Sequence, residues 1–100
     1  MIEVRPMEID GQTVMAISVQ LPKTNLLVVS ARKGYIMCGA LHLPFLNEQM
    51  AERQIVAGRA VGVRSIEDLL EAPLESVTDA AKLLGVIPGM KGSDAILKMI

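Results

Sequence analysis

The sequence predicts an α+β fold: a mixed sheet led by an antiparallel N-terminal β-meander, followed by one βαβ crossover and C-terminal helices. Three observations carry that prediction. The first forty residues are runs of aliphatic and β-branched residues separated by turn dipeptides, the spacing turns helical after Leu43-Pro44, and a small-residue strand then precedes a series of short capped helices. A chain of 100 residues is the size of one ordinary domain. We read residues 1–100 as that domain, with 1–41 β-rich and 42–100 built of helix, strand and helices.

Residues 2–9 and 12–21 are two β-rich runs around Asp10-Gly11. Such a dipeptide is a strong hairpin signal, because positive φ costs Gly nothing and Asp little. In the second run Met15, Ile17, Val19 and Leu21 form one apolar face, while Val14 and Ala16 leave the other face only half polar before Ser18 and Gln20. A strand apolar on both faces calls for two partners: the domain's own core and a neighbouring subunit. Pro22-Lys23-Thr24-Asn25 is turn chemistry, residues 26–31 a third strand, Arg32-Lys33-Gly34 a second turn, and residues 35–41 a fourth strand. The runs LLVVSA and YIMCGAL are apolar at nearly every position, as in central strands buried on both sides.

Pro44 suits the first turn of a helix in which Phe45, Leu46, Met50 and Ile55 recur at about one helical turn or its multiples. Residues 55–63 then form a fifth strand, returning parallel to the fourth through a right-handed crossover. Its Gly58, Ala60 and Gly62 leave room for another backbone or helix to approach closely. Ser65 and Asp68 predict a capping box for a helix over 66–71, stopped by Pro73. Thr78 caps a second helix with Ala80, Ala81, Leu83 and Leu84 apolar, Lys82 near its negative end and Gly85 just beyond. Gly92 or Ser93 caps a last helix over 94–99, with Ala95, Ile96 and Met99 inward.

Composition narrows the function classes. Lys plus Arg number 10 and Asp plus Glu 11, scattered without a run of like charge, so no basic stripe points to nucleic acid or an anionic membrane. Tyr35 and Phe45 are the only aromatic residues, which leaves no platform for stacking bases. Hydrophobic residues make up 51% with glycine left out, whereas typical domains reach about 45–50% only with glycine counted. No apolar run approaches the ~20 residues of a membrane helix, so the surplus is assigned to a subunit interface and a homo-oligomer is expected. The first ten residues alternate acids with apolar residues instead of forming a secretory signal, and one cysteine makes no intrachain disulfide; a cytoplasmic protein is expected.

Cys38 and His42 stand four positions apart. On one strand that spacing is about 13 Å, far beyond hydrogen-bond reach, so they form no dyad within it. Cys38, between Met37 and Gly39, reads first as a small buried hydrophobe. A reactive thiol would need a positive neighbour, and Arg59 on the adjoining strand is the candidate. His42, at the strand exit, reads as a loop residue.

The segment GVIPGMKGSD crowds glycines and a lysine before a helix but lacks the register of a phosphate loop; free amides at Gly92 and Ser93 remain a candidate anion site in competition with ordinary capping. Glu67, Glu71 and Glu75 are interrupted by Pro73, and with one Cys and one His no metal site and no cofactor are expected.

The ordered segments PKTNLLVV, GYIMCGAL, LNE, IVAGRAVGVRSIEDLLEAPLESVT, LG, GM and SDAILK resemble the YunC family, a bacterial and archaeal family of domains of unknown function. The likeness spans nearly the whole chain. The family's MCG pattern falls on Met37, Cys38 and Gly39, and its GVR-IEDLL segment on residues 62–70. The resemblance implies an N-terminal β region that mediates tetramerisation, and it carries over no catalytic residue. His42 replaces other polar residues of the family and Lys91 a small cap, which counts against a role for His42 and against the anion site.

Two function classes follow. One is a non-enzymatic homo-oligomeric binding or structural module, with its ligand or partner at subunit junctions. The other is a small enzyme that assembles a site between subunits around Cys38, with Arg59 or a carboxylate. The absence of a catalytic set favours the first.

Overall fold

A computed structural model describes residues 2–22, 24–39 and 55–100. Within them one mixed sheet carries six strands in chain order: β1 (Ile2–Ile9), β2 (Gln12–Leu21), β3 (Thr24–Ser30), β4 (Tyr35–Cys38), β5 (Ala57–Ala60) and β6 (Ser76–Val77). Helices α1 (Ile66–Glu71), α2 (Asp79–Leu83) and α3 (Gly92–Leu97) follow or interleave with the last two strands. The α+β class expected from the sequence is the class found.

The meander is built by its turns. Asp10 and Gly11 both take positive φ, 49° and 81°, and set Ile9 opposite Gln12, as the DG signal requires. β3 starts at Thr24 rather than residue 26, because Leu21 already pairs with Thr24 and the connection is shorter than the four-residue turn expected. β1 to β4 pair antiparallel, and β5 lies parallel to β4 with Met37 opposite Arg59. β5 is shorter than the predicted strand, since Gly62 at φ 75° turns the chain out of the sheet. β6, unforeseen, is a two-residue strand antiparallel to β5. The predicted helix after Pro44, His42 and the end of the predicted fourth strand lie outside the described residues.

One face of the sheet carries the main core. Val14 and Ala16 of β2, Leu27 and Val29 of β3, Ile36 and Cys38 of β4 and Ala60 of β5 meet Ile66 and Leu69 of α1 and Ala95, Ile96 and Met99 at α3. Each large aliphatic side chain so buried contributes about 1.5–3 kcal/mol over leaving it in water. The inward set predicted for the last helix is therefore borne out. α2 differs: Ala81 is buried but Leu83 is 87% exposed, so only one side of its first turn faces the core.

Caps tie the helices to the sheet. Ser65 Oγ accepts from Asp68 N at 3.1 Å, and the Asp68 carboxylate reaches one residue further back than expected, accepting from Arg64 N at 3.1 Å. Thr78 is buried and makes three bonds: its hydroxyl accepts from Ala81 N (3.3 Å) and Ala57 N (3.0 Å) and donates to Ile55 O (2.6 Å). One side chain thus starts α2 and anchors β5. α3 begins at Gly92, and its cap position is Lys91 with no side-chain bond, so neither Gly92 nor Ser93 is the cap. The helix starts early because residues 72–74 pair with 89–92 and press Gly92 against α1: a Cβ at Gly92 would collide with the Leu69 carbonyl oxygen.

Candidate functional site

Sheet register decides the fate of the Cys38–Arg59 pair. Cys38 stands opposite Ala60 and Arg59 opposite Met37. Successive side chains on a strand alternate faces, so the thiol and the guanidinium lie on opposite sides of the sheet. Cys38, 5% exposed, packs in the main core; its Sγ accepts from Leu27 N at 3.4 Å and its thiol donates to Asn25 O at 3.5 Å. Arg59 emerges on the other face, where Nη2 donates to Gly39 O (2.9 Å) and Nη1 pairs with Glu75 Oε1 (3.4 Å). It acts as a strap from the end of β4 to the residue before β6. Its Nε is buried without a hydrogen-bond partner among the described residues.

The candidate anion site is likewise taken up by packing. Gly92 N donates to Ala72 O at 3.0 Å, and Lys91 Nζ pairs with Glu71 Oε2 at 3.1 Å. Both bonds join the start of α3 to the end of α1. Ser93 sits within the first turn of α3. The three glutamates spaced by four residues are drawn apart, Glu67 to Arg5 (3.0 Å), Glu71 to Lys91 and Glu75 to Arg59. Hydrogen bonds from backbone and from Arg5 hold the Glu67 carboxyl below its ordinary value of 4.5. Among the described residues no group of three or more His, Cys, Asp or Glu is placed to hold a metal ion.

The opposite sheet face is divided. At β4 and β5 it is closed: Met37 and Ala57 are fully buried, with Val28, Tyr35 and Ile55 packed around them. At β1 and β2 it is open. Ile2 (72%) and Val4 (55%) pair with Val19 and Ile17, and Met15 and Leu21 are exposed on the same face. Of the two apolar sides of β2, the half-polar one, Val14 and Ala16, is the core side. The fully apolar one faces outward.

A cleft of about 320 Å³ lies beside this face, where the β3–β4 turn meets the segment entering β5. Ser30, Arg32, Lys33, Tyr35, Ile55 and Val56 line it. Its frame is tied at three points: Ala31 N to Gly34 O (2.8 Å), Lys33 N to Met99 O (2.6 Å) and Tyr35 N to Val56 O (3.1 Å). Gly34 is required here, since a Cβ would run into the Val56 carbonyl oxygen. Burial pushes the Tyr35 phenol above its ordinary value of 10, so it stays a donor at neutral pH. In the sequence, residues 32–34 carry the signature of a turn. The available signal was two adjacent cations between a Ser and a Tyr.

Residues 37–99 match the profile of a domain of unknown function, DUF1805. The chain is 57% identical over 100 residues to the uncharacterized protein YunC of Bacillus subtilis, covering 100% of this chain and 99% of that one. Its fold is similar to the crystal structure of a protein of unknown function, TA1206 from Thermoplasma acidophilum, with a TM-score of 0.89 and 28% identity over 100% of this chain and 94% of that one.

Proposed function

Since the chain belongs to the YunC family of domains of unknown function, whose resemblance brings no catalytic set to it, we propose that it is a non-enzymatic homo-oligomeric binding or structural module. It assembles through the outward face of its N-terminal β region, with a tetramer as the proposed size and the cytoplasm as the proposed location. The observation that supports this most is the run of exposed apolar side chains, Ile2, Val4, Met15 and Leu21, on one face of a hairpin whose other face contributes to the core. Leaving apolar surface in water costs roughly 25 cal/mol per Å², and contiguous patches beyond a few hundred Å² are rare on monomers.

The mode of contact is face to face. The free edge of β1 carries Pro6, which has no N–H to donate, and the strand also holds Glu3, Arg5 and Glu8; these discourage a new strand from pairing there. Two copies of the apolar face pack at the ~10 Å spacing of stacked sheets. An enzyme with an inter-subunit site at Cys38 loses support from the thiol's place in the core.

Light scattering after size exclusion tests the reading. At micromolar concentration the protein is expected as an oligomer and Ile17→Arg as a folded monomer. A monomeric parent protein would overturn it.

A further inference from the structure

We propose that the cleft between the β3–β4 turn and the entry to β5 binds a small organic oxyanion, a carboxylate or phosphomonoester carried on a compact apolar body. Arg32 and Lys33 are adjacent and exposed, and among the described residues no acidic one lines the cleft and neither cation is in an ion pair. Arg5, Arg59, Lys82 and Lys91 each have a carboxylate within 4 Å; of the cations without one among the described residues, Arg64 and Lys98 stand singly, and only Arg32 and Lys33 are adjacent and line a cleft. A guanidinium presents the planar fork that matches a carboxylate or phosphate, and an adjacent ammonium adds a point charge.

The remaining lining specifies the rest of the ligand. Among the lining residues Ser30 and Tyr35 carry hydroxyls, while Ile55 and Val56 are aliphatic. The cleft is open to solvent, and its volume of about 320 Å³, at the lower end of the ~300–1,000 Å³ range of small-molecule sites, is enough to seat a compact body. The backbone around the cleft is fixed before any ligand arrives: Lys33 is held to Met99, Gly34 admits Val56, and Tyr35 is bonded to Val56. Ordering costs on binding fall on two side chains rather than on a loop. Every lining residue belongs to one protomer, so the inference stands apart from the assembly proposed above, although Ser30 pairs with Met15 and the cleft adjoins the outward face.

The test is calorimetric titration of the full chain at low salt with phenyl phosphate and with benzoate. Saturable binding of one ligand per chain is expected. Arg32→Gln with Lys33→Gln weakens it by at least about tenfold, whereas Arg64→Gln with Lys98→Gln, removing equal charge from residues outside the cleft lining, changes it by less than about twofold. These positions are exposed, and far-ultraviolet circular dichroism verifies the fold of each variant. Light scattering on the same samples reports assembly separately. Failure of both probes to bind the parent protein, or equal weakening by the two double variants, overturns the site. Inorganic phosphate binding as tightly as phenyl phosphate overturns the apolar body.

Discussion

Cys38 and Arg59 sit on neighbouring parallel strands one residue out of register, so the thiol enters the core while the guanidinium straps the other face to Gly39 and Glu75. Separation by the sheet itself makes Cys38 a packing residue. A thiol reagent at neutral pH is expected to leave it unmodified in the native protein and to react once denaturant is added. Cys38→Ala should cost about 1–3 kcal/mol, the loss of one small buried group together with the sulfur partner of Leu27 N. Complete modification of the folded protein within seconds would return Cys38 to the list of reactive groups.

Thr78 joins α2 to β5 through one hydroxyl, and its removal has a directional consequence. Thr78→Val keeps the shape but leaves Ala57 N, Ala81 N and Ile55 O without that partner. The expected loss is about 2–4 kcal/mol, more than an ordinary cap, because two of the orphaned groups are amides bonded in buried surroundings. Thr78→Ser, which keeps the oxygen, should lose less than half as much. Urea midpoints at constant slope compare the three proteins, and equal midpoints for Val and Ser would contradict the role.

Glu67 ties the α1 surface to Arg5 of the edge strand, and its contribution depends on pH in a stated direction. Its folded value lies below the ordinary 4.5, chiefly from a backbone hydrogen bond and then from Arg5. A depressed carboxyl stabilises the fold above its unfolded value and loses that contribution as pH falls through the folded value. The melting-temperature gap between the parent protein and Glu67→Gln should therefore be present at neutral pH and close progressively as the pH falls from the ordinary 4.5 through the lower folded value. The effect is small, since the pair is exposed to solvent. A gap that widens in acid would have the wrong sign.

Legibility in the sequence followed the range of the interactions. The Asp10-Gly11 hairpin, the Ser65 and Thr78 caps and the inward positions of α3 were readable because each depends on residues within a few positions of one another. β6 was not readable: two residues carry no periodicity, and the strand exists because β5 offers an edge to pair with. The early start of α3 depended on Leu69, more than twenty residues away, whose carbonyl leaves room only for glycine. The Arg32–Lys33 cleft needed Val56 brought beside Gly34, a neighbour supplied by the parallel return of β5.

By itself the sequence determined the class of fold, the meander and the capped starts of the two helices after Ser65 and Thr78, because capping, turn chemistry and periodicity are properties of neighbouring residues in the chain. Tertiary structure alone decided which side of β2 faces out, that Cys38 and Arg59 part company, and that two cations share a cleft with Tyr35. Those outcomes rest on register between strands far apart in the chain, where a shift of one residue moves every side chain to the other face.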